Sequence, residues 1–368
     1  MNFFHRGYLI KQKFFLNLPL EKEKSYPLLP EKRVFLIKLK RWGRPAVCIF
    51  LLGFLFSKVP VSDFVALIKK VSFQGLFLAF LLYLIGQIFF VLRWEVLLYA
   101  LNIQVRRFRL VTLHFLGLFF SFFLPTSVGG DLVRAYYLSR DTHQMGASFL
   151  SVFTDRYTAF FTALFTATFT AWVGQVTVYN RLLYPWLVGL SLSVILINIL
   201  LSRGYPAYGI PLLPSPLRRF QDTLGSLNQS LQIVFNHKKV LCLTLLLSLA
   251  FLFLSAGAHQ ILIHAMGKSV EFKYLLIFLP LIALAGSIPI SIGGIGLRES
   301  AYVYLFSGIG FTAAEGLALA SFILLIWLVT SLPGLGVYLF MGTKPRVESP
   351  PPNLPVESLK SEVFQPRN

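Results

Sequence analysis

Residues 125–134 read Pro-Thr-Ser-Val-Gly-Gly-Asp-Leu-Val-Arg, and residues 289–298 read Pro-Ile-Ser-Ile-Gly-Gly-Ile-Gly-Leu-Arg. Pro, Ser, both Gly and Arg coincide at the same offsets. Each stretch ends an apolar run, 110–124 and 274–288, and is followed by a second, shorter one. Pro125 and Pro289, each with its Gly pair (Gly129-Gly130, Gly293-Gly294), break a helix and let the backbone turn where side chains would obstruct. The half-helix that follows opens with unpaired N–H groups and the positive end of its dipole, a terminus that favours an anion, phosphate above all. Ser127 and Ser291 can add hydroxyl donors, and Arg134 and Arg298 can fork onto phosphate oxygens. The plainer reading is that each Gly pair only permits close helix packing and each Arg snorkels to an interface. Recurrence of the whole pattern favours the anion site.

What surrounds these breaks is apolar. Of 368 residues 56% are hydrophobic and only 13% are charged, with 37 Phe. The charged share is about half the roughly 25% usual in soluble domains. A soluble domain of this composition would expose too much apolar surface, so the chain is expected to be an integral membrane protein. Its 34 Lys+Arg against 15 Asp+Glu, a net charge of +19, then mark loops facing an anionic leaflet, and no nucleic-acid partner is expected. Cys48 and Cys242 sit inside apolar runs and indicate no disulfide framework. No His-Glu-x-x-His and no Cys/His zinc spacing occurs, so neither a metal nor a cofactor is expected.

About 20 apolar helical residues span ~30 Å of hydrocarbon. By that ruler the crossings are 46–59, which is short, then 75–92, 147–173, 182–202, 240–264 and 313–341. Counting 110–124 and 274–288 as full crossings puts the basic loop 203–239 outside. Treating 110–139 and 274–309 as re-entrant hairpins places that loop, the 93–109 loop and both termini on the cytoplasmic side. Three crossings then separate the hairpins, which enter from opposite faces, the inverted-repeat plan of many transporters. The predicted fold is an all-α polytopic membrane protein with about six to eight transmembrane helices, two broken hairpins and an inverted repeat. Its domains are a basic cytoplasmic extension (1–44), a transmembrane domain (45–341) and a Pro-rich cytoplasmic tail (342–368). The expected location is the cell membrane.

Asp131, Asp155, Arg156 and Glu299 lie in or beside apolar helices. Each costs about 2.5–3.5 kcal/mol at membrane depth unless paired or near water. With Arg134 and Arg298 they make three charges of each sign, enough for a neutral intramembrane cluster. Their structural alternative is pairing between neighbours, Arg298 with Glu299 or Asp155 with Arg134. Arg93-Trp94 is read as an interfacial anchor, and His114, His259 and His264 as helix-packing residues.

Together, Pro125-Thr-Ser-Val-Gly-Gly-Asp131-Leu-Val-Arg134, Asp155-Arg156, Pro289-Ile-Ser-Ile-Gly-Gly-Ile-Gly-Leu-Arg298-Glu299 and Arg93-Trp94 resemble the lysylphosphatidylglycerol synthase transmembrane (flippase-like) family over about residues 46–341. The resemblance implies translocation of lipids between leaflets, aminoacylated phosphatidylglycerol among them. Other members resemble accessories of polyprenyl-lipid, hopanoid or glycosylation pathways. The two-domain synthases carry a cytosolic transferase domain after the membrane part. Only 27 mostly polar residues follow Met341 here, so lysyl transfer is not expected of this chain. The basic extension is not part of the family pattern.

The leading expectation is a translocase or scramblase for a phosphate-bearing lipid, with Arg134 and Arg298 holding the headgroup. No Gly-x-x-x-x-Gly-Lys-Ser/Thr motif occurs, so any energy must come from a gradient or a partner. One alternative is a membrane-embedded transferase on a polyprenyl or glycerophospholipid, with Asp131, Asp155 or Glu299 as base, although no dedicated nucleophile stands out. Another is a non-catalytic partner of a separate lipid synthase or glycosyltransferase. Membrane lipids are the expected partners in every case.

Overall fold

The computed structural model describes residues 67, 71–123, 129–202, 237–288 and 294–340. Among these, nine helices follow one another: α1 (Phe73–Ala100), α2 (Arg107–Phe123), α3 (Gly129–Thr142), α4 (Met145–Val173), α5 (Tyr184–Ser202), α6 (Lys238–Ala265), α7 (Phe272–Ser287), α8 (Leu297–Ser307) and α9 (Ala313–Phe340). A two-residue hairpin, β1 (Thr177–Val178) with β2 (Arg181–Leu182), joins α4 to α5. Its turn residues Tyr179 and Asn180 both have positive φ, as the tight turn that matches strand twist requires. Predicted crossings 75–92, 147–173, 182–202, 240–264 and 313–341 correspond to α1, α4, α5, α6 and α9. The run 46–59, the extension 1–44, the tail 342–368 and most of the loop 203–239 lie outside the described residues.

Among the described residues α1, α6 and α9, of 28 residues each, are long and apolar enough to span a bilayer. At 1.5 Å per residue each is about 42 Å long. Residues 184–196 of α5 and all of α7 are shorter apolar segments. α4 has 29 residues but carries Asp155 and Arg156 in its apolar run. The arms α2 and α3, of 17 and 14 residues, reach about 25 and 21 Å.

Two copies of one unit are present. α1, α2, α3 and α4 correspond in order to α6, α7, α8 and α9. α1 begins at 73 and α6 at 238, α2 at 107 and α7 at 272, both 165 positions apart. Even the helix ends agree. Ile103 N–H donates to the Leu98 carbonyl at 2.9 Å, and Lys268 N–H, again 165 positions on, to Ile263 at 3.0 Å. Asn102 and Gly267 supply the positive φ of this C-terminal motif in each copy.

The copies run in opposite directions. α1 and α6 pack along their lengths, with Gly75 against Ala265, Leu82 against Gly257 and Gly86 against Phe251, while Arg93 reaches Ser248. As one number rises the other falls, so the helices are antiparallel. Each hairpin follows the C-terminal end of its leading helix, so the two hairpins start from opposite ends of the α1–α6 pair. Within the first, α2 and α3 are antiparallel, with Gly117 against Gly130 and Arg109 on Asp141. Within the second, α7 and α8 are antiparallel, with Gly286 against Arg298 and Phe278 against Phe306.

Gly is required at two equivalent crossings. A Cβ at Gly130 would overlap the Gly117 carbonyl oxygen and Ser121 Oγ; one at Gly294, where φ is +78°, would lie 2.7 Å from the Gly286 carbonyl oxygen. The core lies between α1, α4, α6, α7 and α9, around Ala79, Ala167, Ala256, Ile277 and Ala318. Outward faces carry Phe77, Ile85, Ile88, Leu246, Phe253, Leu328 and Leu332, all exposed, surface that only a hydrocarbon solvent favours. The chain is a helical membrane protein.

Candidate functional site

A cleft is framed by Phe90 of α1, by His114, Gly117, Leu118 and Ser121 of α2, by Asp131 and Arg134 of α3 and by Arg156 of α4. The close α2–α3 crossing at Gly117 and Gly130 holds the first turn of α3 against this cleft. Asp131 and Arg134, three positions apart, share one helix face there.

Behind the cleft lies a buried ionic network. Asp155 of α4, 0% exposed, receives Arg93 Nε at 2.8 Å from α1 and Arg134 Nη2 at 2.9 Å from α3. Arg93 Nη1 also donates to Ser248 Oγ of α6 at 3.3 Å. Asp131 is held by Arg156 in a two-point contact, Nε at 2.6 Å and Nη2 at 3.0 Å. It lies 3.1 Å from Arg134 Nε as an ion pair. Phe90 lies beneath three guanidinium groups, with Arg93, Arg134 and Arg156 centred 4.7, 5.1 and 5.8 Å from its ring. Trp94 presents its ring to Arg134 at 4.7 Å and donates Nε1–H to Ser151 Oγ. Such stacking attracts cations in a desolvated setting.

Three guanidinium groups face two carboxylates, leaving one positive charge over. Arg134 is 2% exposed, yet its Nη1 has no hydrogen-bond partner, and its Nε is not aligned for a hydrogen bond to Asp131. Arg93 Nη2 is likewise unpartnered. An orphaned buried donor costs about 1–3 kcal/mol, more when charged. Of these two residues Arg134 lines the cleft, where an anion would meet its unpartnered donors and offset the charge.

The second hairpin is built differently. Arg298, 6% exposed, gives Nη2 at 3.0 Å and Nε at 3.3 Å to Oε1 of its neighbour Glu299. The other oxygen, Oε2, accepts from Gly296 N–H at 2.6 Å, at the N-terminus of α8. The Arg298 guanidinium lies 4.5 Å over Trp327, and Trp327 stacks on Tyr83 of α1. Next to this pair His259 Nδ1 contacts the Ser255 carbonyl, which can only accept, so Nδ1 carries the proton. Nε2 therefore accepts the Tyr302 hydroxyl at 2.7 Å.

The six charges considered in the sequence thus fall into two groups. Asp131, Arg134, Asp155 and Arg156 come together, whereas Arg298 and Glu299 pair with each other in the other hairpin. Both neighbour pairings, Arg134 with Asp155 and Arg298 with Glu299, occur. Arg93 and Trp94 are corrected: they are 1% and 0% exposed and stand inside the first network rather than at an interface. The carboxylate of Asp155, 62 positions away, draws Arg93 inward, and no local signal announces that partner. Its place at the end of an apolar run was the only hint. His114, bound to Gln87, and His259 are buried packing residues, whereas His264 is exposed. Gly129 and Gly130 are buried in the first turn of α3, and Gly294 precedes α8. Pro125, Ser127, Pro289, Ser291 and Gly293 lie outside the described residues. Among the described residues no group of three or more His, Cys, Asp and Glu is placed to hold a metal ion.

The family described as "Lysylphosphatidylglycerol synthase TM region" matches residues 41–334. No curated protein and no solved structure matches the chain.

Proposed function

The chain belongs to the lysylphosphatidylglycerol synthase transmembrane-region family, whose membrane domain points to a lipid-related role, and from that premise we propose that it translocates a phosphate-bearing lipid between leaflets. One observation carries this reading: Arg134, buried and partly unpartnered, faces a cleft whose charges leave one cation over. A lipid phosphate there would accept from Nη1 and Nε while its acyl chains stay in hydrocarbon. Gly129 and Gly130 add the N-terminal turn of α3, a helix end that favours an anion. Two oppositely directed units packed through α1 and α6 give a fold in which rocking can expose the site to either side.

The distribution of exposed charge supports a cytoplasmic side for the first hairpin. Arg106, Arg107, Arg109, Arg140, Lys238 and Lys239 gather at that end of the α1–α6 pair, with Glu95 and Asp141. Among the described residues at the other end, Lys268 and Lys273 are matched by Glu315 and Glu271, and exposed Arg181 adds a single cation. Excess Lys and Arg mark the cytoplasmic face.

The test is reconstitution of the purified chain in liposomes containing a headgroup-labelled phosphatidylglycerol, with accessibility of the label to a membrane-impermeant quencher followed in time. Movement of unaltered lipid between leaflets is expected. A chemically altered lipid in the extract would instead establish a transferase, and static labelled lipid would overturn the proposal.

A further inference from the structure

We propose that the second hairpin is an anion site masked by its own carboxylate: Glu299 occupies the position that a phosphate would take on Arg298. The two hairpins are equivalent in the repeat, and each presents a buried Arg beside an aromatic ring, Arg134 in the second turn of α3 and Arg298 in the first turn of α8. In the first, Arg134 stacks on Trp94 and keeps unpartnered donors. In the second, Arg298 stacks on Trp327, but both Nε and Nη2 are taken by one oxygen of Glu299. The other oxygen takes the Gly296 N–H. Successive helix residues do not ordinarily face one another. Here they do, because Glu299 turns back to the helix start and Arg298 follows it.

The carboxylate therefore gathers a guanidinium fork and a helix-terminal N–H, the same donor types that a phosphate oxygen pair would use. In the first hairpin Ala135 follows Arg134; Asp155 takes Arg134 Nη2 and Asp131 lies 3.1 Å from Nε without an aligned hydrogen bond, so Nη1 and Nε stay unpartnered. The protein in this conformation accordingly holds one anion, at the first hairpin, and an arriving phosphate must displace Glu299 to reach Arg298. The ligand class is a phosphate group, on a lipid or free. The inference rests on the anion chemistry proposed for Arg134 but fails separately from it.

The experiment counts anions on the full chain in neutral detergent. Short-chain phosphatidylglycerol is counted by native mass spectrometry and inorganic phosphate by equilibrium dialysis. Wild type is expected to retain one anion per chain and Glu299→Gln two. Arg134→Gln removes the first in either background, and Arg298→Gln removes the second in the Glu299→Gln background. A second anion seen with both ligands makes it a general phosphate site; one seen with lipid alone makes it a headgroup site. Either outcome upholds the mask, and a count of one with both ligands overturns it. Should wild type retain none while Glu299→Gln retains one that depends on Arg298, the mask stands and the reading of the first cleft falls. If Glu299→Gln does not fold, Arg298→Gln in the wild-type background decides. Affinity within about twofold of wild type is expected because the site is closed, and a loss equal to that of Arg134→Gln overturns the proposal.

Discussion

Arg93 and Asp155 meet at 2.8 Å with side chains 1% and 0% exposed, joining α1 to α4 in the interior of the protein. Asp155 also takes Arg134 of α3, so one carboxylate orients two cations from two other helices.

Asp155→Asn removes the shared counter-charge and leaves two buried cations facing each other. Breaking a buried pair from one side costs about 3–5 kcal/mol. A clear fall in the apparent melting temperature in detergent is expected. Arg107→Gln, which breaks the largely exposed pair with Glu95, is expected to cost about 0–1 kcal/mol. Equal losses from the two variants would show that the interior network does not support the fold.

Arg134→Lys keeps the charge and loses the fork. A hydrogen bond to a charged group is worth about 1.5–3 kcal/mol, or roughly ten- to a hundredfold. Lipid translocation in liposomes is expected to fall by at least that factor, with a smaller loss of melting temperature than Asp155→Asn because the charge opposite Asp155 is kept, and translocation by Arg134→Gln to fall further. Wild-type translocation by Arg134→Lys would mean that the guanidinium grips nothing.

Gly130→Ala inserts a methyl group against the Gly117 carbonyl and Ser121, where backbone cannot give way cheaply. Overpacking of this kind costs about 1–3 kcal/mol. Gly189→Ala in α5, with nothing within 4 Å of the new methyl, is expected to be neutral or stabilising by up to about 1 kcal/mol. Thermal unfolding of the pair measures the difference directly.

The antiparallel α1–α6 contact is tested by cross-linking. With Cys48 and Cys242 replaced by Ser, Gly75→Cys with Ala265→Cys is expected to form a disulfide under mild oxidation, since the two positions are in contact. Gly75→Cys with Lys239→Cys, which a parallel arrangement would bring together, should not. Cross-linking of the second pair alone would remove the inversion of the repeat.

Where the membrane helices fall was legible in the sequence, because length and hydropathy are local properties and the bilayer imposes one ruler on all of them. The five predicted crossings within the described residues coincide with helices to within a few positions, except for the C-terminal end of α1, and three of those helices are long and apolar enough to span a bilayer. The chain reverses between α2 and α3 and between α7 and α8, at the two places where the sequence pattern predicts a break. The repeat of Pro125–Arg134 in Pro289–Arg298 pointed to two units, and the loop charges to their opposite directions. Tertiary structure alone decided which charge answers which. The pairing of Arg93 with Asp155, and the self-pairing of Arg298 with Glu299, depend on which helix faces cross and at what height. A single chain read in order carries no measure of that distance. Six charges of balanced sign could equally have formed one neutral cluster. Packing of α1 against α4 and α6 brought Arg93 into the first group, and the turn of Glu299 back to Gly296 N–H withdrew Arg298 from it. One hairpin was thereby left with a cation over and the other closed on itself.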